Sequence, residues 1–228
     1  MRGRIKITKR QIKEDKFTTF MLTAKDRIVE SWQFVVIGVV AVVLVAAAAS
    51  YYASSQRAKT EDAAVRFARA LLDYRNGDHQ IAILGLNQII EEYSSDDAAE
   101  EATYLLGKMN LVNRNYPEAV RYFEMYLSTY EGNLLNRAAS MAGIATCLEN
   151  QGEYLQAAGR FVEAANEHPG GPLEGDYELA AMRNYLEVGD TTSARERLGV
   201  IEEKYSGTDW SIRGLRLFYE KGQTQSGT

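Results

Sequence analysis

Few residues of this 228-residue chain could do chemistry. There are two histidines, His79 and His168, and one cysteine, Cys147. Zinc sites and nucleophilic sites need several such groups at characteristic spacings, with further ligands or a base nearby. Each histidine falls at a predicted turn, and Cys147 lies alone on a predicted helix, so we expect its thiol to be buried and unreactive. The sequence therefore predicts no catalytic site, no metal site and no cofactor.

The glycine-rich and acidic segments do not change this prediction. GGPLEG (170–175) lacks the preceding strand and the Lys-Ser/Thr ending of a phosphate-binding loop. Three acidic pairs follow one another in the chain: Glu91 and Glu92, Asp96 and Asp97, and Glu100 and Glu101. Their simplest role is to solvate helix faces and helix N-termini. We predict that the protein is not an enzyme.

Charge is unevenly distributed along the chain. Residues 1–30 carry nine Lys/Arg and four Asp/Glu, a net charge of +5. Residues 57–228 carry seventeen Lys/Arg and twenty-seven Asp/Glu, a net charge of −10. Because nucleic-acid binding depends on neutralising phosphates with basic side chains, the acidic part argues against a nucleic-acid partner.

Residues 31–56 contain no charged side chain. Their centre, FVVIGVVAVVLVAAAASYY (34–52), is nineteen residues long. As a helix it would measure roughly 28 Å, close to the ~30 Å hydrocarbon thickness of a bilayer. Trp32 precedes the segment and Tyr51 and Tyr52 end it, as in the aromatic belts of membrane helices. Residues 31–56 are therefore predicted to be a transmembrane anchor.

Two other interpretations of this segment remain open. A buried core helix is one, although such a helix rarely lacks a polar face. A cleaved signal peptide is the other, because AAAAS (46–50) offers small residues suited to a cleavage site. The long polar stretch of residues 1–33 favours the uncleaved anchor, since an ordinary signal peptide begins with a much shorter polar region.

The basic N-terminal tail is predicted to lie in the cytoplasm, because Lys and Arg favour the cytoplasmic side of a membrane. Residues 15–32 place Phe17, Phe20, Met21, Ala24 and Ile28 at helical spacing. An amphipathic helix resting on the inner leaflet is the expected result, so that lipid contacts extend over residues 15–52. The C-terminal domain is then extracytoplasmic.

A ten-residue phrase occurs four times after the apolar segment: GDHQIAILGL (77–86), RNYPEAVRYF (114–123), GEYLQAAGRF (152–161) and GDTTSARERL (189–198). Its alanines are 37, 38 and 37 residues apart: Ala82, Ala119, Ala157 and Ala194. Glycine stands five residues before three of them, and Arg114 takes that place in the second copy. Glycine can end a first helix, and a small alanine lets a second helix pack closely against it. Four stacked helix pairs are predicted, with these alanines at the packing contacts.

Two of the copies carry a resemblance to the tetratricopeptide repeat (TPR) family. MAGIATCLENQGEYLQAAGRFVEAANEHP (141–169) and YLLGKMNLVNRNYPEAVRYFEMYLSTY (104–130) resemble the TPR pattern closely, and the first and fourth copies are weaker. The resemblance implies an all-α protein in which a right-handed α-solenoid of about four helix pairs covers residues 57–221. Residues 209–221 would form the capping helix, and 222–228 a disordered tail.

In TPR solenoids the first helix of each pair lines the concave, peptide-binding face. The resemblance places eight residues on that face, which we name the first-helix candidates: Phe67, Leu71, Tyr74, Tyr104, Lys108, Leu111, Arg183 and Leu186. Aromatic and aliphatic side chains with a few cations suit an extended or helical apolar peptide. The alternative is that several of them pack between helices instead. Other proteins are the expected partners.

The order of basic tail, single span and repeats is similar to the ancillary SecYEG translocon subunit/cell division coordinator TPR family. This similarity implies a single-pass protein of the bacterial inner membrane, with its C-terminal domain in the periplasm. Its partners would be the translocon, secreted polypeptides or envelope assembly factors. A signal-peptide-cleaved, soluble periplasmic adaptor for cell-envelope or cell-division machinery is the alternative, and the sequence leaves homo-oligomerisation open.

Overall fold

The computed structural model describes residues 18, 20–21 and 32–225. Every regular element in these residues is an α-helix, and no strand occurs among them, which confirms the all-α prediction. The helices are α1 (Trp32–Asn76), α2 (His79–Glu92), α3 (Asp97–Val112), α4 (Tyr116–Thr129), α5 (Leu134–Asn150), α6 (Tyr154–Glu167), α7 (Glu174–Glu187), α8 (Thr191–Lys204) and α9 (Asp209–Gln225).

Two predictions fall largely or partly outside these residues. Of the predicted amphipathic helix over 15–32, only Thr18, Phe20, Met21 and Trp32 are described, so that helix stays a prediction. The last helix, α9, ends at Gln225 and residues 226–228 lie outside the described part. The disordered tail over 222–228 likewise stays a prediction.

The chain divides into two compact units, Met1–Ala58 and Lys59–Thr228. In the first unit, residues 32–58 belong to α1, and their apolar side chains are exposed: Phe34 is 75% and Val45 70% exposed. No part of the most apolar window of α1 is buried against other described residues. By length and composition α1 could cross a membrane, and it is the one such helix among the described residues.

The second unit consists of helix pairs and a capping helix. The pairs are residues 59–76 of α1 with α2, α3 with α4, α5 with α6, and α7 with α8. From α2 to α8 each helix packs on the next, and α9 packs on both α7 and α8. Trp210 of α9 lies so close to Gly175 of α7 that a Cβ atom at position 175 would be 2.8 Å from its ring. The apolar face of the last pair is thereby covered.

The second helices of the pairs are alike in length and register. α2, α4, α6 and α8 each contain 14 residues, and the repeat alanine is the fourth residue of each. All four alanines are completely buried: Ala82, Ala119, Ala157 and Ala194. The large apolar residue one turn later is also buried in every copy: Leu86, Phe123, Phe161 and Leu198. The sequence repeat thus corresponds to a repeated packing contact.

The turn between the two helices of each pair has a left-handed residue at one fixed position. Gly77, Gly152 and Gly189 have φ angles of 91°, 82° and 75°, and Arg114 has a φ of 59° in the second pair. Glycine adopts this conformation without a steric penalty, whereas arginine does not. The backbone geometry is therefore set by the repeat and is imposed on Arg114.

Candidate peptide-binding surface

The first-helix candidates on α1 lie at the edge of the first core cluster. Phe67, Leu71 and Tyr74 are half-buried. The rings of Phe67 and Tyr74 pack against the buried cluster that α1, α2 and α3 share. The Tyr74 ring also lies 5.2 Å from that of His79, measured between centroids. These side chains are held by packing and show only part of their surface to solvent.

Three candidates on α3 form a contiguous group, which we name the α3 patch: Tyr104, Lys108 and Leu111. The Tyr104 ring lies 6.3 Å from the Phe123 ring and 5.7 Å from the Tyr126 ring. Lys108 is exposed, with Nζ 5.4 Å from the centroid of Tyr104. Leu111 packs on the cluster built around Phe123. The patch thus combines a packed aromatic ring, an aliphatic side chain and an exposed cation.

The structure fixes Arg183 of α7 through Glu149 of α5. Arg183 donates from Nε and Nη2 to the two carboxylate oxygens of Glu149, both at 2.9 Å. Asn184 adds a third hydrogen bond to Glu149 at 3.1 Å. Such a fork-to-fork ion pair is geometrically specific and neutralises the cation. Arg183 is therefore a positioned donor and not a free charge.

Leu186 has a different environment from the other first-helix candidates. It is completely buried in the cluster formed by α7, α8 and α9. The side chain is therefore a core residue of the last helix pair and the capping helix. Leu186 is therefore not part of the proposed binding surface.

Glu149 and Tyr177 are not among the residues predicted from the sequence. Glu149 precedes its partner Arg183 by 34 residues, close to one repeat length. Other polar contacts join neighbouring pairs at similar separations, among them Tyr122 with Asn87 and Asn136 with Glu101, each 35 residues apart. Complementary polar residues about one repeat apart are the sequence signal for contacts such as that of Glu149 with Arg183.

Tyr177 lies on α7 and is 9% exposed. Burial raises the pKa of Tyr177 to about 12, with smaller contributions from Tyr104 and Asp176. Burial, followed by Glu101, likewise raises the pKa of Tyr104. Both phenols are neutral at physiological pH and can donate hydrogen bonds. Tyr177 belongs to the buried cluster of α5, α6 and α7, so it is a core residue and not part of an open surface.

The two histidines and the cysteine lie on different elements of the fold. Cys147 is completely buried, and burial raises the pKa of its thiol to about 11, so the reactive thiolate is disfavoured. His79 begins α2 and His168 follows the end of α6. Within the described part of the chain, no three His, Cys, Asp or Glu side chains are grouped to hold a metal ion.

The described helix pairs form cavities, of which two bear on the binding surface. One, of about 550 Å³, lies between residues 62–73 of α1 and α2. Its walls carry Asp62, Arg66 and Arg69. One repeat further along, the corresponding residues are Ala99, Thr103 and Leu106, all completely buried. Charged residues thus occupy the face that an earlier helix pair would otherwise cover, as expected for the polar end of a stack of repeats.

The second cavity, of about 400 Å³, is formed by α4, α5 and α6. Its wall is lined by Val120 and Glu124 from α4, Ile144 and Leu148 from α5, and residues 156–163 of α6. We name it the α4–α6 groove. None of the first-helix candidates lines it.

Comparison with known proteins adds one result. The family model described as "Tetratricopeptide repeat-like domain" matches residues 29–170, more than half of the chain. The match begins before α1 and ends after α6. A comparison with curated proteins finds no match.

Proposed function

Because the chain belongs to the tetratricopeptide repeat-like domain family, we propose that it is a noncatalytic scaffold that holds polypeptides beside a membrane. The match confirms the TPR prediction from the sequence. Domains of this kind generally serve protein–protein interaction. The translocon family and its periplasmic location belong to the proposal.

The α3 patch is the observation that carries the binding role. Tyr104 is half-buried and held by two further aromatic rings, so little side-chain entropy is lost when a ligand contacts it. Lys108 is exposed above that ring, and the Arg183–Glu149 pair supplies polar groups in fixed positions. Rigid aromatic anchors flanked by polar groups are typical of peptide-binding surfaces. An apolar peptide, extended or helical, is the proposed ligand.

The apolar half of α1 supports membrane attachment. Its side chains from Phe34 to Val45 lie on an exposed helix, with no other described part of the chain covering them. Burial of apolar surface yields about 25 cal/mol per Å², so a bilayer is a favourable environment for this segment. Residues 1–30 would remain in the cytoplasm and Lys59–Thr228 would face the periplasm. Attachment there concentrates the repeats near secreted or envelope proteins and the translocon.

A released, soluble periplasmic adaptor is the second candidate. The small residues of AAAAS (46–50) suit signal-peptide cleavage, and they lie on the exposed part of α1. Mass spectrometry of the mature N-terminus separates the two forms. An intact N-terminus together with resistance to alkaline extraction supports the anchor, whereas a start near Ser50 and a soluble protein supports the adaptor.

Site-specific crosslinking in intact membranes tests the binding role. A photoreactive phenylalanine derivative replaces Tyr104, and the matched control carries it at Tyr219, an exposed tyrosine of α9. We expect discrete crosslinks to secreted, envelope or translocon proteins from position 104 and few from position 219. Equal crosslinking from both positions, or none from position 104 in a folded protein, would overturn the proposal.

A further inference from the structure

Gly159 lies in the middle of α6 without a structural need for glycine. A glycine inside a helix destabilises it by roughly 0.5–1 kcal/mol relative to alanine. Its φ is not left-handed, and a Cβ atom built on it meets no other atom within 4 Å. Packing would therefore accept a larger residue at this position.

The corresponding residues of the other second helices carry long side chains. Two residues after the repeat alanine stand Leu84 in α2, Arg121 in α4 and Glu196 in α8. The Arg121 guanidinium covers the Tyr122 ring at 4.1 Å from its centroid. In α6 this position carries no side chain.

Gly159 lines the α4–α6 groove. Ile144, which is 4% exposed, and the half-buried Leu148 supply its apolar lining from α5, and Val120 contributes from α4. Gly159 lines the opposite wall on α6. The groove thus has an apolar strip from α4 and α5 that faces a mainly polar α6 wall, in which Gly159 leaves room for a side chain from outside.

Negative charges outnumber positive ones at the mouth of the groove. Glu163 is paired with Arg160 at 2.7 Å on the α6 wall. Glu124 on the α4 wall is exposed, and no Lys or Arg of the described chain forms an ion pair with it. An incoming cation near Glu124 would complete the pairing, and the net charge of −10 over residues 57–228 attracts basic segments from a distance.

We propose that the α4–α6 groove is a second docking site for a basic, apolar segment of a partner protein. A large apolar side chain of that segment lies over Gly159 and Ile144, and an adjacent Lys or Arg pairs with Glu124. This site uses α4, α5 and α6, and it is separate from the α3 patch. One chain could therefore hold two partners, or two segments of one partner.

Fluorescence anisotropy on the full chain in zwitterionic lipid nanodiscs tests this site. The probes are three labelled short peptides: one with a leucine flanked by lysines, one with serine in place of leucine, and one with glutamates in place of lysines. Empty nanodiscs measure binding to lipid. We expect only the lysine–leucine probe to bind, and neither the serine probe nor the glutamate probe.

Variants then locate the binding. Gly159→Leu fills the groove, and Gly199→Leu makes the same change on α8, where a Cβ atom also meets nothing within 4 Å. Gly159→Leu and Glu124→Lys should each weaken binding of the lysine–leucine probe about tenfold or more, corresponding to about 1.4 kcal/mol. Gly199→Leu should leave it unchanged.

Tyr104→Ala should also leave binding of this probe unchanged, which separates this site from the α3 patch. Thermal unfolding shows whether Gly159→Leu is folded, and if it is not, Glu124→Lys decides. Absence of probe binding, equal binding of the glutamate probe, or full binding by the folded groove variants would overturn the proposal.

Discussion

The ring of Phe123 on α4 lies directly against the backbone of Gly143 on α5. A Cβ atom at position 143 would be 2.6 Å from Cζ of the ring, well inside van der Waals contact. On the other side of the ring, a Cβ atom at Gly107 of α3 would lie 2.7 Å from Cδ1. One aromatic side chain thus separates the first helices of two consecutive pairs, and both present glycine to it.

Gly143→Ala is expected to destabilise the protein by about 1–3 kcal/mol, because overpacking a filled core displaces side chains or backbone. The loss should occur although alanine is the better helix former. Urea unfolding of the full chain measures the difference. Gly199→Ala is the control: its Cβ atom has free space, so a gain of about 0.5–1 kcal/mol is expected there. A stabilising Gly143→Ala would show that Phe123 can move away.

Arg114→Gly is expected to stabilise the protein by about 0.5–1 kcal/mol. The native φ of 59° is unfavourable for arginine and favourable for glycine, which stands at the same place in the other three pairs. Thermal unfolding of the full chain gives the shift in Tm. Gly152→Ala is the converse change in the third pair and should lower Tm. A destabilising Arg114→Gly would mean that the arginine side chain makes a contribution larger than the backbone strain.

Glu174 on α7 should make stability fall in acid. The side chain is 3% exposed. Burial opposes its ionisation, but Lys204 and the backbone N–H of Gly170, which donates at 2.6 Å, outweigh it and hold the pKa of Glu174 below its ordinary 4.5. Its contribution to folding is therefore present above pH 4.5 and is lost as the pH falls through the lowered value.

Glu174→Gln should lower the free energy of unfolding by about 1–3 kcal/mol at pH 7. The difference from the unaltered protein should shrink below pH 4.5, the ordinary pKa of the carboxyl group. Urea titrations at a series of pH values measure this. The exposed Glu202→Gln is the matched control and should change little at any pH. A difference that stays constant with pH would contradict an electrostatic role for Glu174.

Glu178, one turn further along α7, should have the opposite effect. It is 2% exposed, its Oε2 accepts no hydrogen bond from the described residues, and Arg197 Nη1 is 3.5 Å away. Burial raises the pKa of Glu178 despite Arg197. The folded state therefore favours the protonated acid, and this group adds stability as the pH falls through its raised value.

Glu178→Gln removes the buried charge while keeping the shape of the side chain. We expect equal or higher stability at pH 7 and a smaller gain in stability on mild acidification. The same urea titrations measure both effects. A loss of more than about 1 kcal/mol at pH 7 would show that the attraction of Arg197 exceeds the desolvation penalty.

The helix pairs could be predicted because their signals are local in the sequence. Two of these signals reflect packing and turn geometry within one pair. They are the alanines at 37-, 38- and 37-residue intervals and the glycines five residues before three of them. The structure places every one of these alanines at the fourth position of a 14-residue helix. The signal of the charge-free segment is equally local, since its length and its apolar composition alone suffice for a helix that could span a bilayer.

The exposure of the first-helix candidates was harder to predict, because it depends on which neighbouring helix covers a residue. Leu186 has the same repeat position as Leu111, yet Leu186 is completely buried in the cluster formed by α7, α8 and α9 while Leu111 stays half-buried. Arg183 is one of the predicted cations, but Glu149 on another pair binds its guanidinium through two hydrogen bonds. The sequence determined the repeat unit, since helix periodicity and turn chemistry act over short distances. Only the tertiary structure decided which faces stay open, because that depends on contacts between residues a full repeat apart.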